Sequence, residues 1–150
     1  MDGGVLVKSA TPSMEDYLRS IYMLIQKKGY ARSIDLAEQF NIRHPSVSKM
    51  IQKLGDENYL RYEKYRGFTL TPLGEELGEW CMYRNNILQA FLEVIGVHFE
   101  NIEEEADKME HYVSEESLAM MASTTAYFQE NTIILQELRS KQQKKNTLLL

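Results

Sequence analysis

Residues Arg32–Gly74, RSIDLAEQFNIRHPSVSKMIQKLGDENYLRYEKYRGFTLTPLG, decide the fold. Ser33 is a capping residue type, and Ile34, Leu36, Ala37 and Phe40 follow it at helical spacing as inward-facing positions; Asn41 ends the pattern. Ile42 to His44 form a tight turn, and Pro45 suits the first turn of a second helix because its missing N–H would have no intrahelical partner there. This second helix sorts Val47, Met50, Ile51 and Leu54 onto one face and Ser46, Ser48, Lys49, Gln52 and Lys53 onto the other. One face packs and the other is left to read. After Gly55, Tyr59 to Thr71 alternates as two strands around a turn at Lys64-Tyr65-Arg66-Gly67. The order predicts a winged helix-turn-helix, whose second helix enters the major groove of duplex DNA. Arg43, Pro45, Ser46, Ser48, Lys49, Gln52 and Lys53 are the candidate DNA-binding residues of that helix. Lys64 and Arg66 flank an aromatic at the wing tip, a composition suited to phosphate or the minor groove. A merely solvated basic face is the plain alternative for each residue taken singly, and the ordered set of elements is more specific than any member.

Upstream, Tyr17, Leu18, Ile21, Tyr22, Leu24 and Ile25 give one buried stripe on a helix from Ser13 to near Gly29, with Thr11-Pro12 before it and Asp16 placed for a capping-box-like contact. Downstream, Thr71-Pro72 opens a long helix to about Ile95. Its apolar members, Leu73, Leu77, Trp80, Cys81, Tyr83, Leu88, Phe91, Leu92 and Ile95, exceed what one small bundle needs. A two-fold homodimer would bury the excess and would suit palindromic half-sites of operator DNA, an intramolecular core helix being the other reading. Further helices are expected over about Asn101–Val113, over Ser114–Gln129 with Ser114 as its cap, and over Thr132 to about Lys145, with NTLLL frayed behind them. The fold class is therefore mostly α: a winged helix-turn-helix over residues 1–71 and a helical dimerisation domain over residues 72–150.

Charge divides in the same place. The 150-residue chain has a formal net charge of −5, which taken whole argues against nucleic acid. Residues 1–71, however, hold 11 Lys/Arg against 8 Asp/Glu, whereas residues 72–150 hold 6 against 14. A basic front half and an acidic back half predict two tasks. The apolar runs are too short to span a membrane, and MDGGVLVKSA lacks a signal-peptide core, so a cytoplasmic protein is expected. The single cysteine, Cys81, fits a reducing compartment.

In EADKMEHY, residues 105–112, Asp107, Glu110 and His111 stand at i, i+3 and i+4 and project from one helical face. Two carboxylates and an imidazole favour a hard or borderline divalent cation such as Mn²⁺, with zinc or iron as other candidates; a solvated acidic face is the alternative.

At this point the sequence resembles the diphtheria-toxin-repressor family of metal-dependent bacterial regulators, and within it the manganese-responsive branch. TPSMEDYLRSIYMLIQKKGYAR, HPSVSKMIQKL, YEKYRG, LTPLGEELG and EADKMEH follow the family segments in family order, from about residue 11 to about residue 140. The likeness is to the short branch that ends after the dimerisation domain. The resemblance implies a metal site made by Asp16 of the first helix with Asp107, Glu110 and His111, and Asp107 stands where the branch usually has glutamate. It also implies that a second family metal site is lost: Arg19 replaces a glutamate on the first helix, and Asn85 replaces a histidine on the long helix. Arginine stays protonated and cannot ligate. Two mechanisms follow from this comparison. In one, a single Mn²⁺-like ion stabilises the DNA-competent homodimer; in the other, Arg19 takes the metal's place and the regulator is metal-independent.

Functions from other classes compete weakly. A small metalloenzyme would use the same carboxylates and histidine, yet the sequence has no glycine-rich phosphate loop, no GxSxG elbow and no second histidine motif. His44 belongs to the recognition turn and His98 to a loop. A winged helix that binds protein instead of double-stranded DNA would share the scaffold and differ in its salt response. The expected function is a sequence-specific DNA-binding transcriptional regulator, a repressor by resemblance, and not an enzyme.

Overall fold

A computed structural model describes residues 10–148, with side chains through Lys145. The leader reading of MDGGVLVKSA and the last two leucines of the tail lie outside the described residues. Among the described residues the order is α1 (Pro12–Lys28), α2 (Ser33–Phe40), α3 (His44–Asp56), β1 (Leu60–Glu63), β2 (Gly67–Leu70), α4 (Pro72–Ile95), α5 (Phe99–Met109), α6 (Glu115–Glu130) and α7 (Thr132–Leu148). The chain packs as two compact units, divided between Tyr83 and Arg84 within α4.

In the first unit, α1 starts at Pro12, one residue earlier than the expected Ser13. Thr11 is the N-cap, its hydroxyl accepting the Met14 N–H at 3.4 Å, and Pro12 fills the first turn. Asp16 therefore plays no part in a capping box. Gly29 closes α1 in the left-handed region at φ 82°. The cap of α2 is Arg32, not Ser33: the Asp35 carboxylate accepts the Arg32 N–H at 2.9 Å, and Lys28 Nζ lies 2.6 Å from the same carboxylate. Ile34 faces outward, 50% exposed, while Leu36 is fully buried. The inward reading of Ile34 is thus corrected: two residues before Leu36, it stands about 200° around the helix from that buried side chain.

Asp35 carries a testable electrostatic role. Partial burial pushes its carboxyl up, but the Lys28 ammonium, the Arg32 N–H and the Arg32 charge together outweigh this and hold it below the usual carboxylate value. A depressed carboxyl stabilises the fold above its unfolded pKa of about 3.9, and that contribution fades as pH falls through the lower folded value. Asp35→Ala is expected to cost about 1 kcal/mol at neutral pH, read from urea unfolding. The gap from wild type should shrink in the acid range below the unfolded pKa. An equal gap at neutral pH and at pH about 3 would remove the electrostatic part of this account.

α2 closes at Asn41, left-handed at φ 51°, and the Ile42 N–H returns to the Ala37 carbonyl at 3.1 Å. Val47, Ile51 and Leu54 of α3 are buried against Met14, Leu18, Ile21 and Leu36 from α1 and α2, and Leu77 and Cys81 from the start of α4 join the same core. β1 and β2 pair antiparallel, from Leu60 opposite Leu70 to Glu63 opposite Gly67. Ala31 bonds in both directions with Phe68, at 3.0 and 2.9 Å, so the wing is stitched to the segment before α2. Gly67 sits at φ 112° against the Ala31 carbonyl, where a Cβ has no room. Thr71 then turns the chain: its hydroxyl donates to the Asn58 carbonyl at 2.6 Å and accepts the Gly74 N–H at 3.1 Å, capping α4 as its position before Pro72 implies.

In the second unit, Leu88, Leu92 and Val94 of α4, Ala106 of α5 and Leu118 of α6 are buried. α5 ends at Met109, earlier than Val113, because the chain spends the next residues in a turn that reaches Ser114. There Ser114 is extended and caps α6, its hydroxyl accepting the Ser117 N–H at 3.1 Å. α7 continues past Lys145 through the tail residues to Leu148. It is tied to the end of α4 by Arg139, which donates to the Glu93 carbonyl, and by Gln142, which donates to the Ile95 carbonyl. These side chains satisfy carbonyls that a helix end leaves without intrahelical donors.

Candidate nucleic-acid interface and metal centre

α3 buries Val47, Ile51 and Leu54 and packs Met50 against the same core, so the opposite face of the helix is turned outward. Arg43 is the N-cap, and Arg43, Pro45, Ser46, Ser48, Lys49, Gln52 and Lys53 are all exposed. None of the cap side chains is used on the helix itself, since Arg43 makes no side-chain cap bond. The positive end of the helix dipole and the short hydroxyls of Ser46 and Ser48 stand together at the same end, an arrangement suited to phosphate and to base edges.

At the wing tip, Lys64, Tyr65 and Arg66 are exposed, Tyr65 to 88%, and the Lys64 ammonium lies 5.2 Å over the Tyr65 ring. Tyr65 takes φ 67°, and the Arg66 N–H returns to the Glu63 carbonyl at 3.2 Å, so the tip is a closed turn. Tyr62, also on the wing and 63% exposed, was not singled out by the sequence. Its signal is the outward phase of β1.

The carboxylate-rich segment lies in the second unit. Asp107 is on the last turn of α5, Glu110 is the residue that caps it, and His111 follows in the turn. Glu110 keeps helical angles, φ −58° and ψ −27°, so it still projects beside Asp107 although the helix has ended. Its side chain is almost fully buried, at 1% exposure, and His111 Nε2 lies 3.7 Å from its Oε1. Asn85, equally buried on α4, donates through Nδ2 to Asp107 Oδ1 at 3.0 Å and to Glu110 Oε2 at 2.9 Å. Gln89 Nε2 in turn donates to Asn85 Oδ1 at 2.6 Å. The sequence marked Asn85 as a departure but passed over Gln89, whose spacing of one helical turn from Asn85 was the available sign.

Asp16 and Arg19 sit on α1 of the first unit, both half-buried. A buried carboxylate is costly unless charge or hydrogen bonds offset it. In Glu110, a carboxylate of this kind stands beside an imidazole nitrogen, and oxygen with nitrogen donors are the set that hard and borderline divalent ions take. The residues present fit a metal ion.

The comparisons with known proteins agree with this division. Residues 9–68 match the family described as "Iron dependent repressor, N-terminal DNA binding domain", and residues 71–135 match "Iron dependent repressor, metal binding and dimerisation domain". The HTH-type transcriptional regulator MntR of Geobacillus thermodenitrificans is 45% identical over 134 residues, which are 89% of this chain and 95% of that one. MntR of Bacillus subtilis is likewise 45% identical, over 89% and 94% of the two chains. Among solved structures, the manganese regulator SloR superposes with a TM-score of 0.69 at 29% identity, over 79% of this chain and 55% of that one. ScaR with bound Zn²⁺ gives 0.63 at 30%, over 76% and 54%. The chain thus spans about half the length of those solved chains. With adjoining matches to both family domains, and with MntR relatives that agree over nearly their full length, the chain belongs to the iron-dependent repressor family and is an MntR-like DNA-binding transcriptional regulator.

Proposed function

We propose that the chain is a homodimeric repressor of operator DNA whose binding is tightened by one divalent metal ion, Mn²⁺ above others, held by Asp16, Asp107, Glu110 and His111. The observation that carries this reading is the buried Glu110 carboxylate beside the His111 imidazole. When bound, a divalent ion supplies positive charge that offsets the cost of burying carboxylates. Glu110 and His111 would hold it, with Asp107 of α5 and Asp16 of α1 as the further proposed ligands. The exposed face of α3, with Arg43, Pro45, Ser46, Ser48, Lys49, Gln52 and Lys53, reads the major groove, and Lys64 and Arg66 grip the backbone. Dimerisation covers apolar side chains that the single chain leaves in solvent. Those are Met120 and Tyr127 of α6 and Ile133 of α7, exposed to 59%, 52% and 73%. Two copies then present two reading helices to a palindromic site.

No helix among the described residues is long and apolar enough to cross a membrane. The proposed compartment is the cytoplasm, in keeping with the buried free thiol of Cys81. The test is an operator titration with excess Mn²⁺ and again with chelator, paired with metal analysis of the purified dimer. Tighter binding with Mn²⁺ supports the reading. Equal affinity in both arms rejects it in favour of the metal-independent regulator in which Arg19 stands in for the ion.

A further inference from the structure

Asn85 is the least expected polar group in the second unit, a buried amide with both sides of its fork engaged. Its Nδ2 carries two hydrogens, and they go to two different carboxylates, Asp107 Oδ1 at 3.0 Å and Glu110 Oε2 at 2.9 Å. Its Oδ1 accepts the Gln89 Nε2 hydrogen at 2.6 Å. The assignment of nitrogen and oxygen is chemically forced, because the opposite orientation would press an acceptor oxygen against two carboxylate oxygens. Gln89, one turn along α4, keeps the amide from flipping. The pair of amides is therefore a directed relay that ends on both carboxylates.

A neutral N–H fork between two carboxylates does the geometric work of a bridging cation without its charge. It draws Asp107 and Glu110 to one point and fixes which oxygen of each is turned toward α4. With the amide seated between Asp107 Oδ1 and Glu110 Oε2, the space between these two oxygens is closed to a metal ion, and the single proposed ion would take the other oxygen of each carboxylate.

We propose that Asn85, oriented by Gln89, is a positioning residue that takes the place of a bridging ion between Asp107 and Glu110, so that the sensing domain presents a preset Glu110 to one divalent ion and excludes a second. The proposal rests on the reading that the chain binds a divalent ion. It assigns roles to this chain's own amides that the metal reading does not require.

The experiment is Mn²⁺ titration of the full-length dimer followed by electron paramagnetic resonance, with Asn85→Asp, Asn85→Leu and Gln89→Leu beside wild type. Wild type is expected to bind one ion per protomer with the spectrum of an isolated Mn²⁺. Asn85→Asp exchanges the donor fork for a third carboxylate, and such a cluster needs a cation, so a second ion per protomer and a spin-coupled spectrum are expected. Asn85→Leu and the milder Gln89→Leu keep one ion but lower its affinity, by about 10- to 100-fold for Asn85→Leu and less for Gln89→Leu. Thermal unfolding without metal checks that each variant is folded, and Gln89→Leu, at a half-buried position, serves if Asn85→Leu is not. Two ions per wild-type protomer, or Asn85→Asp and Gln89→Leu both indistinguishable from wild type, would overturn the proposal. Wild type that binds no Mn²⁺ at all would instead remove the metal reading beneath it.

Discussion

Glu110→Gln is expected to abolish the stabilisation of the protein by Mn²⁺. The substitution keeps the shape of a side chain at 1% exposure and still offers a carbonyl oxygen to the Asn85 Nδ2, so the effect is read as the difference between the metal-loaded and metal-free states of the same variant. A neutral amide is a far weaker ligand for a divalent ion than a carboxylate. An ion that binds only the folded state stabilises it by about 2.7 kcal/mol when free metal is 100 times its Kd. A loss of affinity of about 100-fold, the upper end for a disturbed metal shell, erases nearly all of that at the same concentration. Calorimetric unfolding with chelator and with Mn²⁺ reads both numbers in one protein. The operator titration should follow, with the variant giving the chelator-like affinity in either arm. A Mn²⁺-induced rise in Tm that survives Glu110→Gln would place the ion elsewhere and end the role assigned to this residue.

The reason this experiment can be designed at all lies partly in the sequence and partly in contacts that no local pattern encodes. Helical phase made the first unit legible. Val47, Ile51 and Leu54 are buried as their spacing requires, Gly29 and Asn41 end their helices in the left-handed region, and Thr71 before Pro72 caps α4. Where the reading failed, it failed at ends. α2 is capped at Arg32 instead of Ser33, Ile34 in its first turn faces solvent, and α5 stopped at Met109 because Ser114 was needed to start α6. Of the apolar residues of α4, Leu77, Cys81, Leu88 and Leu92 are buried and Tyr83 is 54% exposed, while Met120, Tyr127, Ile133 and Ile134 are exposed on α6 and α7. Amphipathicity tells which face is apolar but not how much of it its neighbours will cover. The candidate site divides in the same way. Asp107, Glu110 and His111 stood out by spacing alone, while the Asn85 fork joins residues 22 and 25 positions apart and depends on how α4 and α5 pack in the second unit.

The second large effect is expected on DNA. Lys49→Ala combined with Arg66→Ala should weaken operator binding by about 100-fold, taking each charged contact to phosphate as about 1.5 kcal/mol. The salt dependence should change with it. Each phosphate neutralised by a cationic side chain contributes about −0.9 to the slope of log K against log salt, so the double variant should bind with a slope shallower by roughly 2. Lys49 lies on the exposed face of α3 and Arg66 at the wing tip, so the two test separate elements of one surface. The chain's net charge of −5 sharpens the prediction, because this acidic protein must concentrate its few cations where the duplex sits. Gln52→Ala supplies the contrast. An amide that reads a base edge should cost about 1–3 kcal/mol at one position of the operator and relax the choice of base there, with the salt slope unchanged. The double variant, by comparison, should lose affinity evenly across operator and random duplex. An unchanged slope in the double variant would mean that α3 and the wing do not meet phosphate, and the reading face would have to be sought on another surface of the first unit.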